Sequence, residues 1–197
     1  MQVDFWFEFG STYSYPAAMR VEDAARAGRI ALRWRPFLLG PIFRSQGWLD
    51  SPFNIYPAKG RYMWRDLERI CERQSLALRR PSRFPRNGLL PARVAARFDD
   101  QPWIGSFIRG IYRANFADDR EISDPVVVAS VLEAVGQPAS LAGEASSEQA
   151  KARLRSNTDE AIALGIFGAP TIMAGSEMFW GNDRLEAALA WAADRRS

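Results

Sequence analysis

The pattern of apolar and polar positions predicts a strand, a helix and a second strand at the start of the chain. Residues 3–9 are apolar apart from two acids, which is typical of a buried strand. Residues 13–27 have apolar positions at helical spacing, and residues 30–36 alternate between apolar and polar before they stop at a proline. The connection is long enough for a parallel pair of strands, so we expect a βαβ unit.

The middle of the chain is predicted to be mainly helical. Asp124 followed by Pro125 is typical of a helix N-terminus, because the carboxylate caps free N–H groups and proline fits the first turn. Two stretches rich in Gly, Pro, Asn or Arg, 45–57 and 79–88, are interpreted as irregular loops. Helical spacing or capping signals predict helices over residues 59–74, 90–98, 102–116, 124–135 and 146–164.

Near its end the chain returns to strand patterns. Residues 169–174 and 177–180 are short apolar runs separated by Gly175 and Ser176, which is a hairpin signal. A final helix is predicted over residues 185–193. These elements predict an α/β protein with a thioredoxin-like fold, ordered βαβ…ββα, that contains a large all-helical insertion.

The element order predicts two domains. Residues 1–40 and 160–197 are expected to form the thioredoxin-like domain, and residues 41–159 the helical insertion domain. A sheet needs other elements to cover its face, so the two outer pieces should pack together rather than fold separately.

Composition restricts the class of protein. With 47% hydrophobic and 25% charged residues, the 197-residue chain is typical of a globular protein with one substantial core. The net charge of +3 is small and no basic run appears, so we expect no nucleic-acid partner. We see no secretory signal and no apolar run long enough to cross a bilayer, so we expect no membrane partner. The single cysteine, Cys71, cannot form an internal disulfide, which favours a reducing, cytoplasmic location.

The chain contains no histidine. Its absence excludes Ser-His-Asp and Cys-His catalysis and removes most zinc and non-haem iron sites. We therefore predict no metal site. Any chemistry must rely on hydroxyls, carboxylates, Arg, Lys, backbone dipoles or an imported cofactor.

The turn at Gly10, Ser11 and Thr12 is the first candidate site. It joins the predicted first strand to the first helix, so several backbone N–H groups point at one spot where the helix dipole favours an anion. Ser11 adds a hydroxyl donor at that spot. From the residues alone, a helix-capping role for Ser11 is an equally good interpretation, and the two roles can coexist.

Three local motifs resemble those of a known enzyme family. They are DFWFEFGSTYSY at 4–15, GIFGAPT at 165–171 and FWGNDRL at 179–185, with weaker matches in RPFLLG at 35–40 and FPRN at 84–87. In this order and spacing they resemble the 2-hydroxychromene-2-carboxylate isomerases, which are relatives of kappa-class glutathione transferases within the DsbA-like thioredoxin superfamily. The resemblance runs nearly end to end.

The resemblance implies that the cofactor is glutathione and that its thiol lies beside Ser11, the expected catalytic residue. In redox relatives a Cys-x-x-Cys pair occupies this turn. No cysteine is present in this turn, so disulfide exchange by the protein itself is excluded. A serine hydroxyl and helix-end N–H groups can instead stabilise a thiolate that arrives on a cofactor.

Two distant segments would supply the remaining glutathione contacts. The bond between Ala169 and Pro170 resembles the cis-proline turn of thioredoxin-like proteins, which offers backbone groups to an extended tripeptide. In the second segment, a helix start at Asn182 suits the γ-glutamyl carboxylate and Asp183 suits the ammonium. Without the resemblance, N-capping would be the better interpretation of both side chains. The whole matching segment is Trp180, Gly181, Asn182 and Asp183.

For the substrate, the resemblance implies a basic residue after the second strand and an asparagine in the following loop. Arg44 and Asn54 are the best matches, and an arginine can bind a carboxylate through two parallel hydrogen bonds. An exposed surface role for Arg44 has equal weight. Gly88 stands where many relatives carry another residue, so any contact from there is lost or moved. Further candidates are Lys59, Tyr62 and Asn87.

The resulting hypothesis is a glutathione-dependent isomerase that converts 2-hydroxychromene-2-carboxylate, or a similar aromatic 2-oxo acid, to trans-o-hydroxybenzylidenepyruvate or its counterpart. Its partner would be a small aromatic carboxylate, and the resemblance implies a homodimer that acts in aromatic degradation. The first alternative is a kappa-class-like transferase that acts on another electrophile. The second alternative is a redox-silent thioredoxin-fold binding module.

Overall fold

The computed structural model describes residues 2–195 and contains a four-stranded sheet. The sheet has the order β2-β1-β3-β4, in which β1 and β2 are parallel and the other neighbouring pairs are antiparallel. Strands from opposite ends of the chain therefore share one sheet, which confirms the thioredoxin-like α/β fold. The strands are β1 (Gln2–Phe7), β2 (Ala31–Pro36), β3 (Thr171–Ala174) and β4 (Glu177–Trp180).

Helices form the rest of the fold, and most of them lie between β2 and β3. Asp124 caps one of them by accepting a hydrogen bond from the Val126 N–H at 2.8 Å, which confirms the predicted helix start. Short 3₁₀ segments occur at Ala139–Ser146 and Asn182–Arg184. The α-helices are α1 (Ser14–Ala27), α2 (Leu39–Ser45), α3 (Pro52–Ile55), α4 (Pro57–Arg73), α5 (Leu89–Arg97), α6 (Ile104–Phe116), α7 (Pro125–Ala134), α8 (Glu148–Ala163) and α9 (Leu185–Asp194).

The stretch 45–57 is more ordered than its composition indicates. It is predicted to be an irregular loop, yet it contains the four-residue helix α3. Ser51 caps α3 by accepting a hydrogen bond from the Phe53 N–H at 3.3 Å, and Pro52 occupies the first turn. A Ser-Pro pair is a helix-start signal, and here it outweighs the turn-forming residues around it. The stretch 79–88 contains no helix or strand, as predicted.

One continuous core joins the sheet to the helical segment. Phe5 and Phe7, on one face of β1, pack against Trp34 of β2 with ring centroids 5.4 and 5.8 Å apart. Tyr112 of α6 lies 5.2 Å from the ring of Phe9, so the helical segment packs directly against the end of β1. The other face of β1 has its own smaller cluster, and burial on both faces explains the nearly unbroken apolar run. The division into two domains stays a prediction.

A buried arginine holds the loop 79–88 in place. The Arg86 guanidinium donates to the backbone and side-chain oxygens of Asn115 at 3.1 and 3.2 Å, and it pairs with Asp119. Hydrogen bonds from Ser82 and Arg86 lower the pKa of Asp119 to about 2. A buried guanidinium is stable only when its N–H groups have such partners, so this network fixes the loop to α6 and the segment after it.

The described residues were expected to lack a membrane span and a metal site, and to contain one inert cysteine. No helix in this part of the chain is long and apolar enough to span a membrane. Within residues 2–195 no group of three or more Cys, Asp or Glu side chains is placed to hold a metal ion. Cys71 is buried in α4, and burial raises the pKa of its thiol to about 11, so it remains protonated.

Candidate functional site

A cavity of about 1610 Å³ opens between the sheet and the helical segment. One side, the helical wall, is formed by lining residues of α2, α3, α4 and the connection from α2 to α3, together with the loop 84–89. The predicted site residues Pro170 and Asn54 are absent from the described lining, and the others contribute to it. The opposite side, the sheet wall, consists of Glu8 and residues 10–13, 167–169 and 180–183.

Ser11 lies on the sheet wall and connects two distant turns. Its hydroxyl donates a hydrogen bond to the Ala169 carbonyl oxygen at 2.8 Å and accepts one from the Ser14 N–H at 3.3 Å. Ser14 is the first residue of α1, so Ser11 helps to satisfy the free N–H groups of the helix start while it faces the cavity. Ser11 therefore contacts the helix start and also lines the cavity.

The turn before β3 is the second part of the sheet wall. The peptide bond between Ala169 and Pro170 is cis, as the resemblance implies. The Pro170 carbonyl oxygen accepts a hydrogen bond from the Gly181 N–H at 2.9 Å, which holds this turn against the end of β4. The Trp180 side chain lies directly over Gly168, so closely that a Cβ at position 168 would overlap the indole Nε1.

Gly181, Asn182 and Asp183 complete the sheet wall. Gly181 has φ of +117°, a conformation that favours glycine, and a side chain there would meet the Asp183 carboxylate. Asn182 is buried, and Arg20 of α1 donates to its backbone and side-chain oxygens at 2.6 and 3.0 Å. The Asp183 side chain is 71% exposed. Arg20 lies outside the motifs, and its contact depends on how α1 packs against a segment 162 residues away.

The helical wall carries the predicted substrate residues in two different situations. Arg44, at the end of α2, lines the cavity, and its guanidinium makes no ion pair or hydrogen bond to another described residue. The Asn54 amide instead donates to the Asp50 carboxylate oxygens at 3.2 and 3.1 Å and to the Phe84 carbonyl oxygen at 3.2 Å. Arg44 is therefore available to an anionic ligand, whereas the Asn54 amide ties α3 to the loop 84–89.

The weaker candidates also lie on the helical wall. Lys59 stands over the Tyr56 ring at 5.1 Å, and Tyr62 is 63% exposed. The Asn87 side-chain oxygen accepts a hydrogen bond from the Leu89 N–H at 2.9 Å, at the start of α5. The cavity is also strongly aromatic, since its lining includes Tyr13, Phe43, Trp48, Phe53, Phe84 and Phe167.

Two ionisable groups in the cavity, Glu8 and Tyr13, lie within the first motif but have no role assigned from the sequence. Glu8 follows β1, and burial raises the pKa of its carboxyl to about 7 although the Gly10 N–H donates to it at 3.0 Å. The Tyr13 hydroxyl donates to the Asp66 carboxylate at 3.0 Å. Burial and the charge of Asp66 raise the pKa of Tyr13, so this hydroxyl stays neutral. Only the packing of α4 and the loop 84–89 over β1 creates these environments.

Taken together, the cavity combines groups suited to a thiol-bearing tripeptide and to an aromatic anion. The sheet wall offers the Ser11 hydroxyl, which suits a thiol, and the half-exposed Trp180 indole, which suits an extended chain. The exposed Asp183 carboxylate suits an ammonium group. The helical wall offers an unpaired arginine among aromatic rings. The residues therefore fit glutathione and a flat carboxylate side by side.

The chain is similar to known proteins along nearly its whole length. Residues 2–190 match the family described as a DSBA-like thioredoxin domain. A 2-hydroxychromene-2-carboxylate isomerase of Sphingobium xenophagum is 28% identical over 93% of this chain and 94% of its own length. Glutathione S-transferase kappa 2 of Caenorhabditis elegans is 27% identical over 93% of this chain and 88% of its own length.

A solved 2-hydroxychromene-2-carboxylate isomerase has the same fold over the whole chain. Its TM-score is 0.83 at 27% identity, and the match covers 100% of both chains. These relatives confirm the resemblance seen in the motifs, and with it the expectation of an isomerase-type enzyme. The chain belongs to the DsbA-like thioredoxin domain family.

Proposed function

We propose that the protein is a glutathione-dependent isomerase of 2-hydroxychromene-2-carboxylate or a similar aromatic 2-oxo acid. The observation that carries this proposal is the single cavity in which Ser11 and the segment 180–183 face Arg44 across an aromatic lining. The names of relatives that align along nearly the whole chain support the reaction type.

The sheet wall would hold glutathione. Ser11 sits at the positive end of the α1 dipole, where a sulfur anion is favoured, and its hydroxyl would exchange the Ala169 oxygen for the sulfur. The backbone of Ala169 and Pro170 would lie along the tripeptide. At the far end, Trp180 and the residues after it would hold the γ-glutamyl group, with Asp183 opposite its ammonium.

The helical wall would hold the aromatic carboxylate. Arg44 would bind its carboxylate through paired hydrogen bonds and would stabilise negative charge that develops on the neighbouring oxygen. We retain Asn54 as a substrate-positioning residue, and its contacts indicate that it would act by holding α3 against Phe84. Lys59, Tyr62 and Asn87 are secondary candidates for the same wall.

Glutathione, when bound, supplies a thiolate nucleophile whose reversible addition turns a conjugated double bond into one that can rotate. The protein's own residues position and shield this chemistry. Ser11 holds the sulfur, Arg44 holds the carboxylate, and the aromatic lining keeps water from the reacting carbons.

Replacement of the serine tests the proposal. In Ser11→Ala we expect glutathione-dependent conversion of hydroxychromene carboxylate, followed by absorbance, to fall about 100-fold, as for the loss of one donor to a developing anion. Ser146→Ala is the matched control, because that hydroxyl bonds to the Gly143 carbonyl oxygen at 2.6 Å outside the cavity lining. Unchanged activity in Ser11→Ala would contradict the role of the serine.

A kappa-class-like transferase is the second candidate, because kappa-class glutathione transferases align over 93% of the chain. It would form a stable conjugate between glutathione and another electrophile, which mass spectrometry detects, whereas the isomerase regenerates free glutathione. Glutathione binding without turnover of any electrophile would favour a binding module.

Location and assembly follow from the same proposal. A glutathione-dependent reaction requires a compartment with reduced thiols, so we place the protein in the cytoplasm, where it would act in aromatic degradation. A homodimer is the assembly that the resemblance implies. Light scattering on the purified protein tests it, and a monomeric mass at micromolar concentration would contradict it.

A further inference from the structure

We propose that Glu8 takes the proton of the glutathione thiol, holds it while the thiolate acts, and returns it when the thiol re-forms. This inference rests on the proposed glutathione function and gives a role to a residue that the sequence left without one. In the forward step the S–H bond breaks and an O–H bond forms on the Glu8 carboxylate, and the return step reverses both. One proton therefore stays within the site.

The position of Glu8 suits this role. It lies on the same wall as Ser11 and only three residues before it, directly after β1. Its backbone is fixed from two sides, because its carbonyl oxygen accepts hydrogen bonds from the Tyr112 hydroxyl and from the Ser11 N–H, both at 3.0 Å. The backbone of Glu8 is therefore fixed relative to the serine turn.

The carboxyl sits in a niche formed by two glycines. A Cβ on Gly10 would lie 3.1 Å from Oε2, and a Cβ on Gly88 would lie 3.3 Å from Oε1. The Gly10 N–H donates to Oε2 at 3.0 Å, so the carboxylate has one fixed partner. The missing side chain of Gly88 leaves room for the carboxyl of Glu8.

No cation in the described chain pairs with this carboxyl. Arg86, on the loop beside Gly88, directs its guanidinium to Asn115 and Asp119. From α6, Tyr112 presents a hydroxyl whose pKa is raised well above its ordinary value, so it stays neutral. Tyr13, just before α1, and Asp66 of α4 also line the cavity, where they bond to each other.

Proton exchange at neutral pH follows from this environment. Burial raises the pKa of Glu8 to about 7, so the carboxyl accepts and releases a proton in the range where a thiol must be activated. A carboxylate near a thiolate would repel it. Uptake of the thiol proton removes that repulsion, because the carboxyl becomes neutral as the sulfur becomes charged.

Carbon-13 NMR of labelled glutamate carboxyls tests the transfer directly. The Glu8 signal is identified by its loss in Glu8→Gln. At pH 7.5 glutathione should move this signal to its protonated position, whereas S-methylglutathione, which carries no thiol proton, should not. An identical response to both ligands, or none when calorimetry shows that both bind, would overturn the inference. Absence of binding heat with either ligand would refute the glutathione function, and the inference with it.

Turnover gives a second readout. Glu8→Gln should lower kcat/KM at least 100-fold at pH 7.5 and abolish its rise through pH 7, with glutathione affinity changed less than threefold. Glu8→Asp, which keeps the acid, should retain part of the rate and a pH-dependent limb. Glu177→Gln, an exposed glutamate on β4, is the matched control. A loss in Glu8→Gln that is equal at every pH would show a purely structural role and overturn the inference.

Discussion

The sheet wall and the helical wall of the cavity differ in what holds them. On the sheet wall, backbone groups and short side chains bond to one another across the fold, as Ser11 does with Ala169 and Gly181 with Pro170. On the helical wall, long side chains stand free, since Arg44 has no described partner and Tyr62 is 63% exposed. One wall is rigid through its backbone, and the other presents side chains.

This difference matches the demands of the two proposed ligands. Glutathione is the same molecule in every relative that uses it, so a wall built from backbone geometry can serve all of them. The electrophile varies, and a wall of exposed side chains on short helices and loops can change without disturbing the sheet. Under the proposed function, the scaffold would bind the cofactor and the helical segment would set the specificity.

The largest expected effect concerns the support of the helical wall. Arg86→Met should lower the free energy of unfolding by about 3 kcal/mol, because it leaves the oxygens of Asn115 and Asp119 without their buried donor. Urea denaturation measures the change. Arg79→Met is the control: Arg79 is exposed and lies 3.9 Å from the same Asp119, so its loss should cost less than about 0.5 kcal/mol. Equal effects would show that burial of Arg86 is unimportant.

Acid titration sharpens the same test. The folded-state pKa of Asp119, about 2, is below its ordinary value, so its contribution to stability is complete above pH 4 and lost as the pH falls towards 2. Arg86→Met should lack much of this acid-dependent loss. A variant with the full acid dependence of the original protein would argue that Ser82 alone sets the pKa of Asp119.

The second prediction concerns Glu8 on the sheet wall, whose charged carboxylate should serve the proposed function but lower the stability of the fold. The folded-state pKa of Glu8, about 7, exceeds the ordinary value, so the folded protein binds more protons than the unfolded chain between about pH 4.5 and 7. The stability of the protein should therefore fall as the pH rises from about 4.5 to 7 and stay level above pH 7. Glu8→Gln removes the buried charge and should therefore be more stable by about 2 kcal/mol at pH 8, with little difference at pH 4.

Urea denaturation at both pH values measures this effect. Glu177→Gln again serves as the control, because Glu177 is exposed and should show no gain. If Glu8→Gln were less stable than the original protein at pH 8, the carboxylate would have a stabilising partner that the structure does not show.

The smallest expected effect tests whether the sheet wall needs a residue without a side chain at position 168. In Gly168→Ala the new methyl group must displace the Trp180 indole, which is half-exposed and can move outward. We expect glutathione affinity to fall about tenfold, or about 1.4 kcal/mol, with a smaller change in stability. Calorimetry measures the affinity. In the control, Gly143→Ala, the added Cβ meets no atom within 4 Å. Unchanged affinity in Gly168→Ala would remove Trp180 from the proposed site.

Much of the sheet wall could be predicted because its signals are local. A strand followed by a turn and a helix locates Ser11, and the hairpin pattern locates β3 and β4. Two helices, α2 and α3, were not predicted. The four-residue α3 has no periodicity, and only its Ser-Pro start marks it. The helical wall was harder to predict. Arg44 and Asn54 are both polar residues in a stretch without a clear pattern, so the sequence could not show that, of the two, only Arg44 lines the cavity.

The sequence by itself determined the order of the strands and the longer helices, the turn that carries Ser11, and the chemistry excluded by the absence of histidine. These depend on residue types and on spacing along a short stretch of chain. Only the tertiary structure decided that Arg20 holds Asn182 and that Glu8 is a partly buried acid, near Ser11 in the chain, with no described cation as its partner. Those properties arise from residues distant in sequence, because the energy of a charge depends on what packs around it rather than on its neighbours in the chain.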